Sequence, residues 1–571
     1  MPTSLPRKRF ESRFRRAAPA AVLTLCAALA ATLVPPAATA ADLQYVQELE
    51  FDSATVSGVV QTTALNAEPD DEIPVIVSYV HGTPPKGNLI GALGGTVSRQ
   101  LDSIDGYAVT VTAAELAELT ADPDVEWVAL DAELRANLDL GRVVNGVPNA
   151  SNALSIYTGQ GITVAILDSG TAAHPDVMSR VVARVDLVSD GLVVSSEGSV
   201  TAPLDPFGHG THVAGIVAAD GQASRRVYRG VAPGARLVSV RVLDDQGMGT
   251  TSDVIAGLEW VYEHRAEHGI RVVNLSLGHP VYEPAVKDPL VRAVERLWSA
   301  GVVVVCSAGN RGHDGYFTVT SPGNAPSVIT VGSRTDWNTP DMLDDIASTY
   351  SSRGPTLIDH YAKPDLIAAG NRIISLRATG STLDTMYPER RVGNRRDPAY
   401  FELSGTSMAA PMVAGTAAVM LEKDPGLNPA TVKARLMRSA RKDVTYDPYD
   451  DPFAFGAGTL DVRRALAARG RVASAPSPHV FRDEHTGLIG IEDTALLWGG
   501  EAWSLTVLWS DSVLWSDGYV DGDSVLWSDG YVGGDSVLWS DSVLWSDSVL
   551  WSDSVLWSDS VLWSDTIPEA D

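Results

Sequence analysis

Cysteine is nearly absent from this chain of 571 residues, which has only two, Cys26 and Cys306. One cysteine remains if the N-terminal segment is removed, so the sequence excludes a disulfide-stapled scaffold. Basic residues are also scarce, with 43 Lys and Arg against 71 Asp and Glu and a net charge of −28. Because phosphate binding needs clustered basic side chains, this balance argues against a nucleic-acid partner. After the N-terminal region no stretch reaches 18 consecutive apolar residues, so we expect no membrane contact by the mature chain.

The N-terminus has the layout of a secretory signal peptide. Six Lys and Arg residues up to Arg16 precede the apolar run 20-AAVLTLCAALAATLV-34, and the small residues 38-ATA-40 follow. This pattern predicts a signal peptide over residues 1–40, cut near Ala40, and therefore a secreted protein. The alternative, a membrane anchor, would require a longer apolar run.

The C-terminal segment, 501–571, is a repeat. It contains 14 acidic residues and no Lys or Arg, and the hexapeptide SVLWSD or a variant of it recurs ten times from Thr506 to Asp565. Because six is even, the Val, Trp and Asp of every unit would share one face of a strand, which predicts a β-solenoid or stacked β array. A disordered low-complexity tail remains the alternative. Exposed Trp side chains could also contact carbohydrate of a cell wall.

Residues 73–135 predict a small α+β unit. Strand patterns at 73–80, 107–112 and 125–131 surround a helical pattern at 113–122. An N-terminal extension, 41–72, precedes this unit, and a linker or processing region, 136–152, follows it.

Residues 153–468 predict a second, larger α/β unit. Continuous apolar strands alternate with amphipathic helices, one of which covers 252–269 and would be capped by Ser252. This alternation predicts a mostly parallel sheet with helices on both faces. Residues 469–500 then read as a linker to the repeat tail. The predicted strands are 162–167, 237–243, 271–277, 302–307 and 328–332, and a second helix covers 288–301.

Four motifs in this unit carry candidate chemistry. Asp168 ends a strand in LDSG, and His209 lies in GHGTHVAG. Ser407 lies among small residues in GTSMAAPMVAG, where a helix start could face an anion, and Asn310 ends the strand motif SAGN. The pair His209 and His212 lacks the spacing of a metalloprotease helix. Asp, His, Ser is one of the chain orders in which a catalytic triad occurs.

With NLSLG at 274–278 and YSSRGP at 350–355, these motifs make the chain resemble the subtilisin-like serine proteases (peptidase S8 family) over roughly residues 150–468. The resemblance implies that Ser407 is the nucleophile and His209 the general base. Asp168 would fix the tautomer of His209. Asn310 and the backbone N–H of Ser407 would bind the oxyanion. His212 would then be a packing or hydrogen-bonding neighbour.

The resemblance also implies a substrate cleft and an inhibitor. An extended peptide would pair with Ser276, Leu277 and Gly278 on one side, and with Gly247, Met248 and Gly249 on the other. The 73–135 unit resembles the family's inhibitory propeptide, with self-cleavage expected within 132–150. A permanent accessory domain is the alternative. The chemistry requires no cofactor. The resemblance implies a structural Ca²⁺ with unknown ligands, for which the acidic run 443–451 is the candidate segment.

The sequence therefore predicts a secreted serine endopeptidase that acts through an acyl-enzyme intermediate and is made as a self-processing zymogen. Its partners would be protein or peptide substrates and its own propeptide, which acts as an intramolecular inhibitor. The alternative function is that of a surface or matrix binding protein in which the repeat tail is the functional part.

Overall fold

The structure is a computed structural model. It describes residues 55–68, 71–83, 86–138, 157–188, 193–195, 204–335, 346–394, 397–441, 451–482, 489–491, 507–509, 517–521 and 530–533. The predicted signal peptide lies outside these residues. Within them, no helix has the combination of length and apolar character that a bilayer span requires.

The N-terminal unit is a four-stranded antiparallel sheet in the order β2-β3-β1-β4. The first helix lies inside the segment predicted as an extension, yet it packs on this sheet: Val60 is fully buried, and the N–H of Ser57 donates to the carbonyl of Val128 at 2.9 Å. The unit therefore begins earlier than the sequence pattern indicated. Its elements are α1 (Gly58–Asn66), β1 (Ile73–Tyr79), α2 (Gly87–Ala92), β2 (Thr96–Leu101), β3 (Gly106–Val111), α3 (Ala113–Thr120) and β4 (Val125–Leu130).

The larger unit is built on a nine-stranded, mostly parallel sheet, which confirms the predicted fold class. Its order is β15-β14-β13-β11-β6-β9-β7-β8, with β16 paired to β14. These strands are β6 (Thr163–Asp168), β7 (Val181–Asp186), β8 (Val193–Ser195), β9 (Arg236–Arg241), β11 (Ile270–Leu275), β13 (Val303–Ser307), β14 (Ile329–Thr335), β15 (Ile346–Ala347) and β16 (Leu366–Ala369).

Alternation along each central strand divides the core into two layers. In β6, Val164 and Ile166 face one hydrophobic cluster, whereas Ala165 and Leu167 face the other. Because successive side chains of a strand point to opposite faces, a strand buried on both sides must be apolar throughout.

Helices cover both faces of this sheet. α4 and α8 lie on the first face, and α5 and α6 on the second. Thr250, not Ser252, caps α5, because its hydroxyl accepts the N–H of Asp253. The helices of this unit are α4 (His209–Ala218), α5 (Thr251–His268), α6 (Pro289–Ser299), α7 (Thr382–Met386), α8 (Thr406–Lys423), α9 (Pro429–Ser439), α10 (Pro452–Phe455) and α11 (Val462–Ala467).

The described residues also form three small three-stranded sheets, one of them in the C-terminal segment, and the other two accompany the main sheet. The first has the order β17-β19-β18, and the second, β10-β5-β12, joins the two units. Their strands are β5 (Glu133–Ala136), β10 (Met248–Thr250), β12 (Leu277–Gly278), β17 (Ile373–Leu376), β18 (Arg391–Asn394) and β19 (Asp397–Leu403).

The start of the predicted linker 469–500 is packed against the larger unit, which corrects its boundary. Ser477 is buried and donates a hydrogen bond of 2.6 Å to Asp365, and Lys433 donates to Ser477 at 2.9 Å. In the tail, β23 and β24 pair in parallel, while most of the segment lies outside the described residues. The C-terminal strands are β20 (Val480–Arg482), β21 (Ile489–Ile491), β22 (Val507–Trp509), β23 (Asp517–Asp521) and β24 (Gly530–Gly533).

Candidate active site

Asp168 and His209 form a buried hydrogen-bonded pair at one end of the central sheet. Asp168 is the last residue of β6, and His209 is the first residue of α4. The imidazole Nδ1 lies 2.7 and 2.9 Å from the two carboxylate oxygens, and both side chains are fully buried. The carboxylate therefore fixes the ring with a proton on Nδ1. The opposite nitrogen, Nε2, is buried and has no hydrogen-bond partner among the described residues.

Asp205, which the sequence analysis missed, holds the start of α4. Its carboxylate accepts the N–H of Gly208 and of Thr211, both at 2.7 Å, and the hydroxyl of Ser169 at 2.8 Å. Burial raises the pKa of Asp205, and these hydrogen bonds oppose the rise. Asp205 lies three residues before the cap residue Gly208, outside the position that a capping pattern identifies, so no local sequence signal marks it.

His212 is a structural histidine in the interior. Its Nε2 lies 3.0 Å from the carbonyl oxygens of both Ile373 and Phe401. Burial, followed by the nearby His209, lowers its pKa to about 3, so the ring is neutral. Within the described part of the chain, no group of three or more His, Cys, Asp or Glu is arranged to hold a metal ion.

Ser407 lies in the first turn of α8 and is fully buried. Its hydroxyl donates to the carbonyl of Ser276 at 2.9 Å, and the Ser276 hydroxyl donates back to the carbonyl of Ser407 at 3.0 Å. The structure therefore joins Asp168 to His209, but in this rotamer the Ser407 hydroxyl is directed to Ser276 and not to His209.

Asn310 presents an unpaired amide N–H₂ beside Ser407. Its Oδ1 accepts both the N–H and the hydroxyl of Thr406, at 3.0 and 2.9 Å, which orients the amide. Nδ2 is buried and has no partner among the described residues. A Cβ on Gly405 would lie 2.5 Å from the carbonyl oxygen of Asn137 and 3.1 Å from this Nδ2, so the glycine leaves room for both.

A segment of the chain itself occupies the cleft between the two expected substrate strands. β5 pairs antiparallel with β10 on one side and with β12 on the other. The N–H of Asn137 donates to the carbonyl of Ser276 at 3.2 Å, and the N–H of Ser407 donates to the carbonyl of Asn137 at 3.3 Å. The Asn137 carbonyl oxygen thus accepts the backbone N–H that the sequence predicts as an oxyanion donor. The paired residues are Arg135 with Met248, Leu134 with Gly249, Ala136 with Leu277 and Arg135 with Gly278, and the N–H of Ala136 donates to the carbonyl of Gly247.

The acidic run 443–451 falls outside the described residues except for Asp451. That carboxylate caps α10 and accepts the hydroxyl of Tyr316 at 3.0 Å. The calcium expectation therefore remains a prediction without assigned ligands.

Comparison with known proteins identifies the family. The subtilase family profile matches residues 159–458, which is more than half of the chain. The chain belongs to the subtilase family. It is a serine endopeptidase, and this membership favours the protease interpretation over the binding-protein alternative.

Individual relatives show how far the similarity extends. Serine protease AprX of Bacillus subtilis (strain 168) is 38% identical over 373 residues, which cover 64% of this chain and 80% of that protein. Subtilisin E of the same organism is 33% identical over 387 residues, covering 66% and 85%. The crystal structure of fervidolysin from Fervidobacterium pennivorans, described as a keratinolytic enzyme related to subtilisin, aligns with a TM-score of 0.55 at 22% identity. That alignment covers 74% of this subtilase and 65% of the fervidolysin chain, and it supports the fold alone.

Proposed function

We propose that this subtilase is made as a secreted zymogen that cuts its own Asn137–Leu138 bond. Ser407 is the nucleophile, His209 the general base and acid, and Asp168 the residue that orients the imidazole. The N–H of Ser407 and the amide of Asn310 bind the oxyanion.

One observation carries this proposal: the carbonyl oxygen of Asn137 accepts the backbone N–H of Ser407 at 3.3 Å. The residues before Asn137 are held by strand pairing on both sides. The bond that follows this carbonyl is therefore the one presented to the nucleophile, and it lies within the region 132–150 expected to contain the cleavage site.

The chemistry requires one side-chain rotation. Ser407 turns its hydroxyl from the Ser276 carbonyl towards Nε2 of His209, which is otherwise unpaired among the described residues. The hydroxyl oxygen attacks the Asn137 carbonyl carbon while His209 takes the proton. His209 then gives this proton to the departing amine of Leu138, and water hydrolyses the acyl-enzyme through the same steps. The unpaired Asn310 amide gains a partner when the carbonyl oxygen becomes negative.

The contacts between the two units support an inhibitory role for the N-terminal unit after cleavage. Arg99 pairs with Asp253 at 2.8 Å. The N–H of Ser103 donates to Glu259 at 2.6 Å. Asp131 accepts the hydroxyl of Ser252 at 2.7 Å. These contacts hold the sheet of the N-terminal unit on α5, so the product ending at Asn137 stays in the cleft and blocks other substrates.

Secretion is part of the proposal and rests on the sequence pattern of residues 1–40. One relative, the extracellular serine proteinase of Thermus sp. (strain Rt41A), is 33% identical over 351 residues. N-terminal sequencing of protein from the culture medium would test both cleavages.

The decisive comparison is between the wild-type chain and Ser407→Ala, each expressed at full length. In the wild type, we expect the earliest mature product to begin at Leu138. In Ser407→Ala, we expect an uncut chain that begins near Ala41. A Ser407→Ala chain that still yields a product beginning at Leu138 would contradict self-cleavage, and a wild-type product that begins elsewhere would contradict the assigned bond.

A further inference from the structure

The side chain of Asn137 is held in a buried position beside Ser307. Only 9% of Asn137 is exposed, and its Nδ2 donates a hydrogen bond of 2.8 Å to the Ser307 hydroxyl. Ser307 is the last residue of β13 and is fully buried. Asn137, whose carbonyl accepts the N–H of Ser407, is therefore also bound through its side chain by Ser307 of the larger unit.

The hydroxyl of Ser307 is oriented as an acceptor towards this side chain. Its own hydrogen is directed to the carbonyl oxygen of Leu275, 3.4 Å away. A hydroxyl has one hydrogen to donate, so its lone pairs remain for the incoming group. An amide N–H₂ satisfies this arrangement, whereas a carboxylate has no hydrogen to donate and would be paired only if the Ser307 hydroxyl turned away from Leu275.

Among the described residues, no Lys or Arg side chain is hydrogen-bonded to Asn137. A carboxylate of the same shape would therefore be buried without a cation, which is costly. A leucine of the same shape would fit sterically but would forgo the hydrogen bond to Ser307. Asn, Asp and Leu have side chains of nearly the same shape. Comparing Asn with Asp therefore tests the effect of charge, and comparing Asn with Leu tests the effect of the hydrogen bond.

We propose that Ser307 makes this protease selective for asparagine at the position that supplies the carbonyl of the cleaved bond. The inference rests on the proposed role of Asn137 as the self-cleavage residue and extends it to other substrates. The expected substrate is an extended peptide that is cleaved after Asn. It has a leucine three residues before this Asn, in the position that the buried Leu134 occupies here.

The test uses the matured wild-type enzyme and three fluorogenic peptides, succinyl-Leu-Arg-Ala-Xaa-aminomethylcoumarin, in which Xaa is Asn, Asp or Leu. We expect kcat/KM for Asn to exceed that for Leu by about tenfold and that for Asp by roughly 100-fold, because a site built to satisfy an N–H rejects isosteres that lack it. Equal rates for Asn and Asp would overturn the proposal.

The matched variant is Ser307→Ala, which removes the acceptor and keeps the size of the pocket nearly unchanged. The advantage of Asn over Leu should fall by about tenfold, while hydrolysis of the Leu peptide persists. An unchanged Asn-to-Leu ratio in Ser307→Ala would also overturn the proposal, since some other group would then read the amide.

A second pair of variants keeps the test decisive if Ser307→Ala does not fold. In the full-length zymogen, Asn137→Asp should slow self-cleavage by roughly 100-fold, and Asn137→Leu should slow it by about tenfold. If both variants are processed at the wild-type rate, the proposal fails. N-terminal sequencing of the mature chain is a separate measurement. A product that does not begin at Leu138 would contradict the proposed cleavage site, whereas the selectivity for Asn is decided by the peptide rates.

Discussion

The backbone N–H of Ser407 and the carbonyl oxygen of Asn137 are joined by a hydrogen bond of 3.3 Å, although Ser407 lies in the first turn of α8 and Asn137 directly follows β5. This contact aligns the chain with its own candidate nucleophile. Each of the following predictions tests one part of the arrangement around it.

Asn310→Leu should reduce kcat by roughly 10²–10³ with little change in KM, which is the size known for the matching donor of subtilisin, a relative. The variant removes the unpaired N–H₂ beside the Asn137 carbonyl. The control, Thr406→Val, removes a hydroxyl that orients Asn310 but keeps the amide, and should cost less. Steady-state kinetics on one peptide measures both, and an Asn310→Leu enzyme with wild-type kcat would refute the role.

Leu134→Ala should slow self-cleavage of the zymogen by roughly 10- to 100-fold, because truncating a buried leucine costs on the order of 2 kcal/mol or more. Leu134 is fully buried and belongs to the same hydrophobic cluster as Leu243. The matched change is Arg135→Ala, whose side chain is 71% exposed, and it should have little effect. Conversion of precursor to product is followed on gels. Equal half-times of self-cleavage for the two variants would show that burial of Leu134 does not position the cleaved bond.

Asp205→Asn should destabilise the fold by about 1–3 kcal/mol and lower kcat, because an amide cannot accept all the donors at the start of α4. Urea unfolding in a Ser407→Ala background measures the first effect without self-digestion. Asp314→Asn is the surface control: its carboxylate pairs with Arg311 but is about half exposed, so the change should be within about 0.5 kcal/mol.

His212 should make the fold acid-sensitive. In the folded chain its pKa is about 3, whereas the pKa of an unfolded imidazole is near its ordinary value of 6.5. The unfolded state binds more protons between these values, so the stability supplied by a neutral His212 is complete above pH 6.5 and is lost as the pH falls towards 3. From pH 7 to pH 4.5 the loss is on the order of 2–3 kcal/mol, at about 1.4 kcal/mol per pH unit.

His212→Gln, compared in the Ser407→Ala background, isolates this contribution. The variant keeps an N–H donor for the carbonyls of Ile373 and Phe401 but does not titrate. Because Gln does not have the shape of the imidazole, we expect a lower free energy of unfolding at pH 7. Because Gln does not titrate, this free energy should fall less between pH 7 and pH 4.5, as measured by urea unfolding at both pH values. Parallel acid dependence in the two proteins would show that another group is responsible.

The docked C-terminal segment predicts a boundary for truncation. A chain ended after Arg482 should keep the stability of the full-length protein, whereas one ended after Gly470 should be destabilised. The shorter chain loses Ser477, whose hydroxyl contacts Asp365 and Lys433 in the interior, and exposes these buried charges. Thermal unfolding of both, with Ser407→Ala to prevent digestion, measures the difference.

Much of the fold could be predicted because its signals are local. Each signal lies within about a dozen residues, as in the apolar runs of β6, β11 and β13 and the helical pattern of α6. A strand that is buried on both faces must consist almost entirely of apolar residues. Element ends were less certain: Thr250 caps α5 where Ser252 was expected, since both residue types can cap and only the backbone path decides between them.

Some residues of the candidate site could be predicted from local motifs, whereas others could not. The motifs predicted Asp168, His209, Ser407 and Asn310 as its members, and their catalytic roles stay predictions until the variants are measured. Asp205 and Ser307 were missed, because an isolated Asp or Ser near an element end carries no signal until the chain folds around it.

By itself, the sequence determined the α/β layering and the family motifs, because periodicity and short motifs are properties of neighbouring residues. The tertiary structure alone decided that Asn137 enters the cleft, that Ser307 contacts its side chain and that Ser477 reaches Asp365. These contacts join residues far apart in the chain, and their partners depend on how strands, helices and loops pack together in three dimensions.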